Sequence, residues 1–181
     1  MMKFVIAGLL ALSCGGVCIA QRQYKPTDQG SAIAFVIKNF GINTKGSFSG
    51  LDGSIGWDGQ HPDSCVFDVS IDASTINTGN SMRDEHLKKE AYFDVANYPR
   101  IRFVSTGVTG PDRGGHYKVT GRLTIKNTTK DIAFPFIVTA LGEDLIFKGD
   151  FTINRRDFGV GGSSTISNQL TVSLTVLAKK Q

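Results

Sequence analysis

The sequence predicts an all-β fold, an eight-stranded antiparallel up-and-down barrel with a short helical segment around residues 81–91. Eight separate stretches alternate apolar and polar residues, which is typical of strands that bury one face. The chain also carries 21 glycines and 12 phenylalanines but only 5 prolines, which suits tight turns between strands with large apolar side chains. Closing such strands into a barrel removes exposed sheet edges. A two-sheet sandwich is the alternative arrangement.

The alternation locates the individual strands. It is cleanest in residues 64–72, where Phe67 and Val69 fall on one face and Asp68 on the other. Cys65 shares the face of Phe67, so we expect a buried and unreactive thiol. The eight predicted strands comprise residues 31–37, 45–57, 64–72, 100–105, 116–126, 131–141, 145–154 and 169–179.

The interior of an eight-stranded barrel is either filled by side chains or leaves room for one ligand. The predicted inner faces are almost wholly apolar and are rich in phenylalanine. The phenylalanines on these faces are Phe35, Phe48, Phe67, Phe103, Phe134, Phe136, Phe147 and Phe151. Taken alone, they are equally compatible with a packed core and with a ligand cavity.

Residues 1–20 have the pattern of a secretory signal peptide. A lysine precedes the apolar run of residues 4–12, and small residues end at Ala20, after which cleavage is expected. The run is too short for a transmembrane helix, which needs about 20 apolar residues. We therefore expect an exported protein, periplasmic or extracellular, with residues 21–181 as one domain. Lipidation of Cys14 is the alternative fate of this N-terminus.

The charged residues that follow Asn77 predict a helix. Ser81 and Asp84 have the spacing of a capping box, so the helix is expected to begin there. Glu85 with Lys89, and Asp84 with Lys88, are four residues apart with the acid first, the favourable orientation for helical ion pairs. Most of the local charge is thereby interpreted as support for a helix.

Catalytic and metal sites are not predicted. Asp84 and His86 are two residues apart and point to different sides of a helix, while His61 and His116 lie in predicted turns without ligand spacing. The sequence contains no nucleophile elbow and no phosphate-binding loop before a helix. The formal charge of +4 is spread along the chain, which argues against nucleic-acid binding.

Several motifs resemble the YceI-like family. The most specific are NTGNSMRDEHL at residues 77–87, YFD at 92–94 and YPRIRFVS at 98–105. Supporting segments are GSF at 46–48, GSI at 53–55, GRLTI at 121–125 and NRRDFG at 154–159. The resemblance extends over about residues 24–178. Two positions depart from the family, since Asn39 stands where histidine is frequent and Asn127 where glycine is usual.

The resemblance implies a secreted, lipocalin-like bacterial barrel that holds a polyisoprenoid lipid, such as a polyprenyl quinone or its precursor, for carriage or storage. It favours the ligand cavity over the packed core. The expected lining is Phe35, Ile37, Phe48, Phe67, Val69, Leu87, Phe93, Phe103, Leu123, Phe134, Phe136, Phe147 and Phe151. The residues expected to close the pocket or hold its structure are Arg83, Asp84, His86, Arg155 and Asp157.

Other functions stay open at this point. An enzyme acting on a bound lipid would use His86, Asp84 or Arg155 as acid–base groups. A stress-related adhesion or interaction module would have a filled barrel. The partners expected are the isoprenoid lipid and, transiently, a membrane; a homodimer is left open. No cofactor and no nucleic acid are expected.

Overall fold

The computed structural model describes residues 21–162 and 165–181. They form a closed barrel in which each strand pairs antiparallel with the next and β8 returns to β1, so the predicted fold class is confirmed. The strands are β1 Arg22–Asn39, β2 Ile42–Trp57, β3 Val66–Asn77, β4 Arg100–Thr109, β5 Tyr117–Ile125, β6 Thr128–Leu141, β7 Asp144–Asn154 and β8 Ile166–Lys180. The proposed signal peptide, residues 1–20, lies outside the described residues.

Helical structure is limited to three short elements in the described part of the chain. The helix α1 spans Ser81–Leu87, and single turns of 3-10 helix cover Pro62–Ser64 and Arg155–Phe158. No helix in residues 21–162 or 165–181 is long and apolar enough to cross a membrane.

The first strand begins earlier than the alternation predicts. It starts at Arg22 and buries Tyr24 and Pro26, whereas the alternation predicted a strand only over residues 31–37. Its pairing with β2 is interrupted between Tyr24 and Ile33. The Asp28 carboxylate bridges this irregularity by accepting hydrogen bonds from two backbone N–H groups of β2.

Up-and-down topology gives the barrel two different ends. The packed end carries the β2–β3, β4–β5 and β6–β7 connections together with the start of β1 and the end of β8. The mouth end carries the β1–β2 turn, α1 with the segment that follows it, the β5–β6 turn and the β7–β8 connection.

The packed end is filled by aromatic side chains around Trp57. Its ring centroid lies 4.9–6.2 Å from those of four neighbours, mostly in edge-to-face geometry. These neighbours are Phe67, Tyr117, Phe136 and Phe147. Such contacts add to the hydrophobic gain from burial, so this end supplies the main packed core.

Cys65 is buried beside this core, as the alternation predicts. Its Sγ accepts a hydrogen bond from the Asp58 N–H at 3.1 Å and donates to the Asp58 carbonyl at 3.2 Å. Burial raises the pKa of the thiol, because the thiolate would lose its hydration.

The helix differs in detail from the sequence prediction. Its N-cap is Asn80, whose side chain accepts from the Arg83 N–H, and the helix ends at Leu87 instead of near residue 91. The capping box at Ser81 was therefore wrong by one residue, since asparagine and serine are both good caps and sequence does not choose between neighbours. The observed ion pair joins Lys88 to Glu85, three residues apart.

Candidate ligand-binding cavity

The half of the barrel next to the mouth end encloses a cavity of about 240 Å³. Ten of the thirteen residues expected to line a pocket lie in its wall. They are Phe35, Ile37, Phe48, Val69, Leu87, Phe93, Phe103, Leu123, Phe134 and Phe151. The barrel is therefore not a filled one.

The cavity is long. Strand β8 contributes Ile166 near the mouth and Val172 at the level of Phe151. The strand between them spans roughly 20 Å, or roughly 15 Å along the barrel axis at a strand tilt of about 40°. A volume of about 240 Å³ distributed along such a wall fits an extended chain better than a compact ring system.

Glycines on the inner face make room for two of the lining rings. A Cβ atom on Gly46 would lie 2.2 Å from Cζ of Phe35, and one on Gly121 would lie 2.5 Å from Cζ of Phe103. Each phenylalanine ring packs over the glycine of the neighbouring strand, where a side chain would otherwise occupy the same space. The glycines therefore let large aromatic residues form the wall without filling the space.

The floor of the cavity is a layer of aromatic rings. Phe134 stacks on Phe151 with centroids 4.5 Å apart, and Phe103 lies 5.7 Å from Phe134. Below this layer, Phe134 and Phe103 also border a second space of about 80 Å³. The layer separates the open half of the barrel from the packed end.

The structure places the other three predicted lining residues below that floor. Phe67, Phe136 and Phe147 border the smaller space and belong to the core around Trp57. Their side chains point into the barrel, as the alternation predicts, but at the wrong depth to contact the main cavity.

The segment after α1 covers part of the mouth. Phe93 packs edge-on against Phe48 of β2 with centroids 5.4 Å apart, and Phe48 in turn lies 5.7 Å from Phe35. Hydrogen bonds from Phe93 N to the Leu87 carbonyl and from Tyr98 N to the Asp94 carbonyl fix this segment. A line of aromatic contacts thus connects the cover to the wall.

Arg83 and Asp84 hold the entry into α1. The Arg83 guanidinium donates to the hydroxyl and the carbonyl of Thr78, both at 2.7 Å. The Asp84 carboxylate accepts from the Thr78 N–H at 2.9 Å and from its hydroxyl. Thr78 and Arg83 also line the cavity, together with Asn39 and Thr44 of the β1–β2 hairpin, so polar groups are found at the mouth.

His86 and Asp157 do not line the cavity. His86 is exposed and packs against Tyr92, with ring centroids 4.9 Å apart. Asp157 is exposed on the 3-10 turn that follows β7. Both therefore lie on the outer side of the segments that cover the mouth.

Arg155 is the buried cation of the mouth end, with 7% of its surface exposed. Its guanidinium donates to the carbonyl oxygens of Val160 at 2.7 Å, Ser167 at 3.0 Å and Ile166 at 3.2 Å. Burial lowers the pKa of this group, with the neighbouring Arg156 adding to the effect. Arg155 therefore ties the β7–β8 connection together at the cavity wall.

The groups considered as acid–base residues have separate structural tasks. Asp84 is bonded to Thr78, His86 contacts Tyr92, and Arg155 binds backbone carbonyls. This arrangement gives no support to the lipid-modifying enzyme.

Sequence reasoning missed part of the wall. Tyr92 and Val160 come from connections, where no alternation marks a face. Other omitted residues lie on the strand faces already recognised as apolar, so the signal was present. These are Ile33, Ile101, Ile125, Ile132, Ile153, Leu170, Val172, Leu174 and Val176.

Known proteins share both the sequence pattern and the fold. A UPF0312 protein of Pseudomonas putida strain W619 is 28% identical, with 96% of this chain and 94% of that protein covered. A UPF0312 protein of Pseudomonas syringae pv. tomato is 30% identical, with 93% and 91% covered.

Solved structures agree with the barrel. BcnA of Burkholderia cenocepacia superposes with a TM-score of 0.80 at 25% identity, covering 85% of this chain and 99% of that one. A polyisoprenoid-binding domain from Saccharophagus degradans gives a TM-score of 0.70, covering 87% and 98%; at 15% identity it shows the shared fold alone.

The family assignment rests on most of the chain. The pattern of the YceI-like domain matches residues 24–178, from the buried start of β1 to the end of β8. The resemblance recognised in the motifs is thereby confirmed, and the chain belongs to the family of proteins with a YceI-like domain.

Proposed function

We propose that this protein binds a polyisoprenoid lipid, such as a polyprenyl quinone or its precursor, with the isoprenoid chain inside the barrel. The observation that carries the proposal is the long apolar cavity of about 240 Å³ between the mouth and the aromatic floor. It extends along the strands and is lined mainly by apolar side chains, which suits a flexible apolar chain. The role is carriage or storage, without a chemical reaction.

The energetics favour a chain ligand. Burying one five-carbon isoprene unit contributes roughly 3–4 kcal/mol at about 0.8 kcal/mol per carbon group, less the cost of ordering the chain. A few units therefore give tight binding without a charged contact. Asn39, Thr44, Thr78 and Arg83 line the cavity at its mouth, and in this proposal they contact the head group.

Similarity supports the proposal. The neighbouring structure from Saccharophagus degradans is described as a polyisoprenoid-binding domain and has the same barrel. The N-terminal pattern of residues 1–20 supports export, so we place the carrier in the periplasm or outside the cell. Lipids need a protein container in such an aqueous compartment, because apolar surface in water is costly.

Mass spectrometry of the bound lipid tests the proposal. Protein purified from its native host without detergent should release a prenyl lipid in near-equimolar amount when it is denatured and extracted. Delipidated protein should then take up a prenyl quinone in a titration. Repeated absence of any lipid, together with no uptake, would refute the function.

A further inference from the structure

Three large apolar side chains are exposed at the mouth end. Phe40 is 75% exposed, Ile42 72% and Met82 81%. Phe40 and Ile42 form the tip of the β1–β2 hairpin, whereas Met82 lies in the first turn of α1. Singly exposed apolar residues are common on soluble proteins, but these three lie at the end of the barrel where the cavity opens.

The backbone at the hairpin tip is unfavourable for a bulky residue. Phe40 has a φ of 50° and Gly41 one of 79°, so both central residues of the two-residue turn are left-handed. Asparagine or glycine is preferred at the first of these positions, and a phenylalanine there is strained. Phe40 therefore serves neither the turn nor the core, and such outliers point to function.

The tip is also held in place. The Phe40 N–H donates to the Thr165 carbonyl at 3.3 Å, and the Thr165 hydroxyl bonds the Asn39 side chain at 3.1 Å. Ile42 is two residues from Thr44 on the same face of β2. Thr44 lines the cavity, whereas Ile42 lies outside it at the end of the hairpin. The apolar inner surface thus extends out of the barrel onto the hairpin tip.

The charge around the tip is positive. The hairpin from residue 31 to 49 contains Lys38 and Lys45 and no acidic residue. Both lysines are exposed on the outer face, and neither is ion-paired with a carboxylate within residues 21–162 and 165–181. On the α1 side, Glu85 is paired with Lys88 and acidic and basic residues are interspersed, whereas the hairpin carries only positive charge.

We propose that the mouth end docks on a bilayer surface carrying anionic phospholipid headgroups. Phe40, Ile42 and Met82 enter the interfacial region, while Lys38 and Lys45 contact the headgroups. This inference rests on the proposed function, because a lipid ligand is exchanged with a membrane. Docking in this orientation lets the isoprenoid chain pass between bilayer and cavity with little exposure to water.

Vesicle binding of the full barrel tests the docking surface. The variant Phe40→Asn removes the aromatic ring and places a preferred residue in the left-handed position, so its thermal midpoint should equal or exceed that of the wild type. Its partitioning onto phosphatidylcholine vesicles containing phosphatidylglycerol should fall by about tenfold. The matched control is Leu141→Asn, which removes a 54% exposed side chain at the packed end and should bind vesicles like the wild type.

The lysines test the electrostatic part. Lys38→Gln with Lys45→Gln should weaken binding to anionic vesicles by about tenfold or more and should leave binding to pure phosphatidylcholine unchanged. Equal vesicle binding by Phe40→Asn and wild type would overturn the proposal, as would an equal loss in Leu141→Asn. A shift of Phe40→Asn from dimer to monomer in sedimentation, without a change in vesicle binding, would assign the surface to a second copy instead.

The two proposals fail separately. Lipid extracted from wild-type protein that does not bind vesicles would overturn docking alone. Vesicle binding through Phe40 by a protein that carries and accepts no prenyl lipid would overturn the proposed function, and with it the role of docking in lipid exchange.

Discussion

A bulky side chain at Val172, near the cavity floor, should strongly weaken lipid binding without unfolding the barrel. Val172 of β8 lies in the wall, in register with Phe35 on one side and Phe151 on the other. In Val172→Trp, the added indole is larger than benzene, which fills an apolar cavity of about 150 Å³. More than half of the 240 Å³ would then be occupied.

The expected loss follows from the burial energy of the chain. Each isoprene unit that no longer fits costs about 3–4 kcal/mol, so excluding one unit weakens binding by about 100-fold or more. The assay is titration of delipidated protein with a prenyl quinone, together with thermal unfolding. Because the ring enters existing space, the midpoint should stay within the range of modest overpacking, at most about 1–3 kcal/mol of destabilisation.

The neighbouring position supplies the control. Thr171 is exposed on the outer face of the same strand, so Thr171→Trp adds the same group without entering the barrel. It should bind the quinone like the wild type. Wild-type affinity in Val172→Trp, in a correctly folded protein, would refute the assignment of the cavity as the ligand site.

Three further predictions concern stability. Arg155→Lys should lower the free energy of unfolding by about 2–4 kcal/mol in a denaturant titration, because one ammonium cannot replace the forked bonds to Val160, Ser167 and Ile166; an unchanged midpoint would contradict this role. Gly121→Val should cost about 1–3 kcal/mol, since its Cβ would lie 2.5 Å from the Phe103 ring. Burial raises the pKa of the Cys65 thiol, so the neutral thiol stabilises the folded protein. This stabilisation is fully present below the unfolded pKa of about 8.5 and is lost as the pH rises from there through the raised pKa of the folded state. The thermal midpoint of the wild type should therefore fall more between pH 8 and 10 than that of Cys65→Ala.

The predictions for Gly121 and Cys65 each have an internal check. Gly162→Ala introduces a Cβ with nothing within 4 Å and should leave stability nearly unchanged beside Gly121→Val. Thiol reagents at pH 8 should modify Cys65 slowly in the native protein and quickly in denaturant. Equal native and denatured rates would argue against a buried thiol.

The alternation of residues was sufficient to predict which side chains face the barrel interior. It placed Phe48, Phe67 and Phe151 on inner faces, and all three point inward in the structure. A period of two carries no information about depth along the axis. Phe67 therefore shared the predicted pocket with Phe48, although the structure places it in the core around Trp57.

Depth depends on register, which is set by pairing across strands and by bulges. The pairing of β1 with β2 is interrupted after Tyr24, which shifts the register of the two strands. The sequence of β1 alone does not predict this shift. Contributions from connections are hidden for a related reason. Tyr92 and Val160 reach the wall because hydrogen bonds such as Val160 N to the Arg155 carbonyl fold their segments inward.

The aromatic floor limits how deep a ligand can reach into the barrel. In the proposed function, an isoprenoid chain that enters at the mouth would stop at Phe134 and Phe151, so the depth of this layer would set how many units are bound. A smaller residue at position 134 would join the space of about 80 Å³ below to the cavity above. The bound length would then change through one layer, while the core around Trp57 keeps the fold intact.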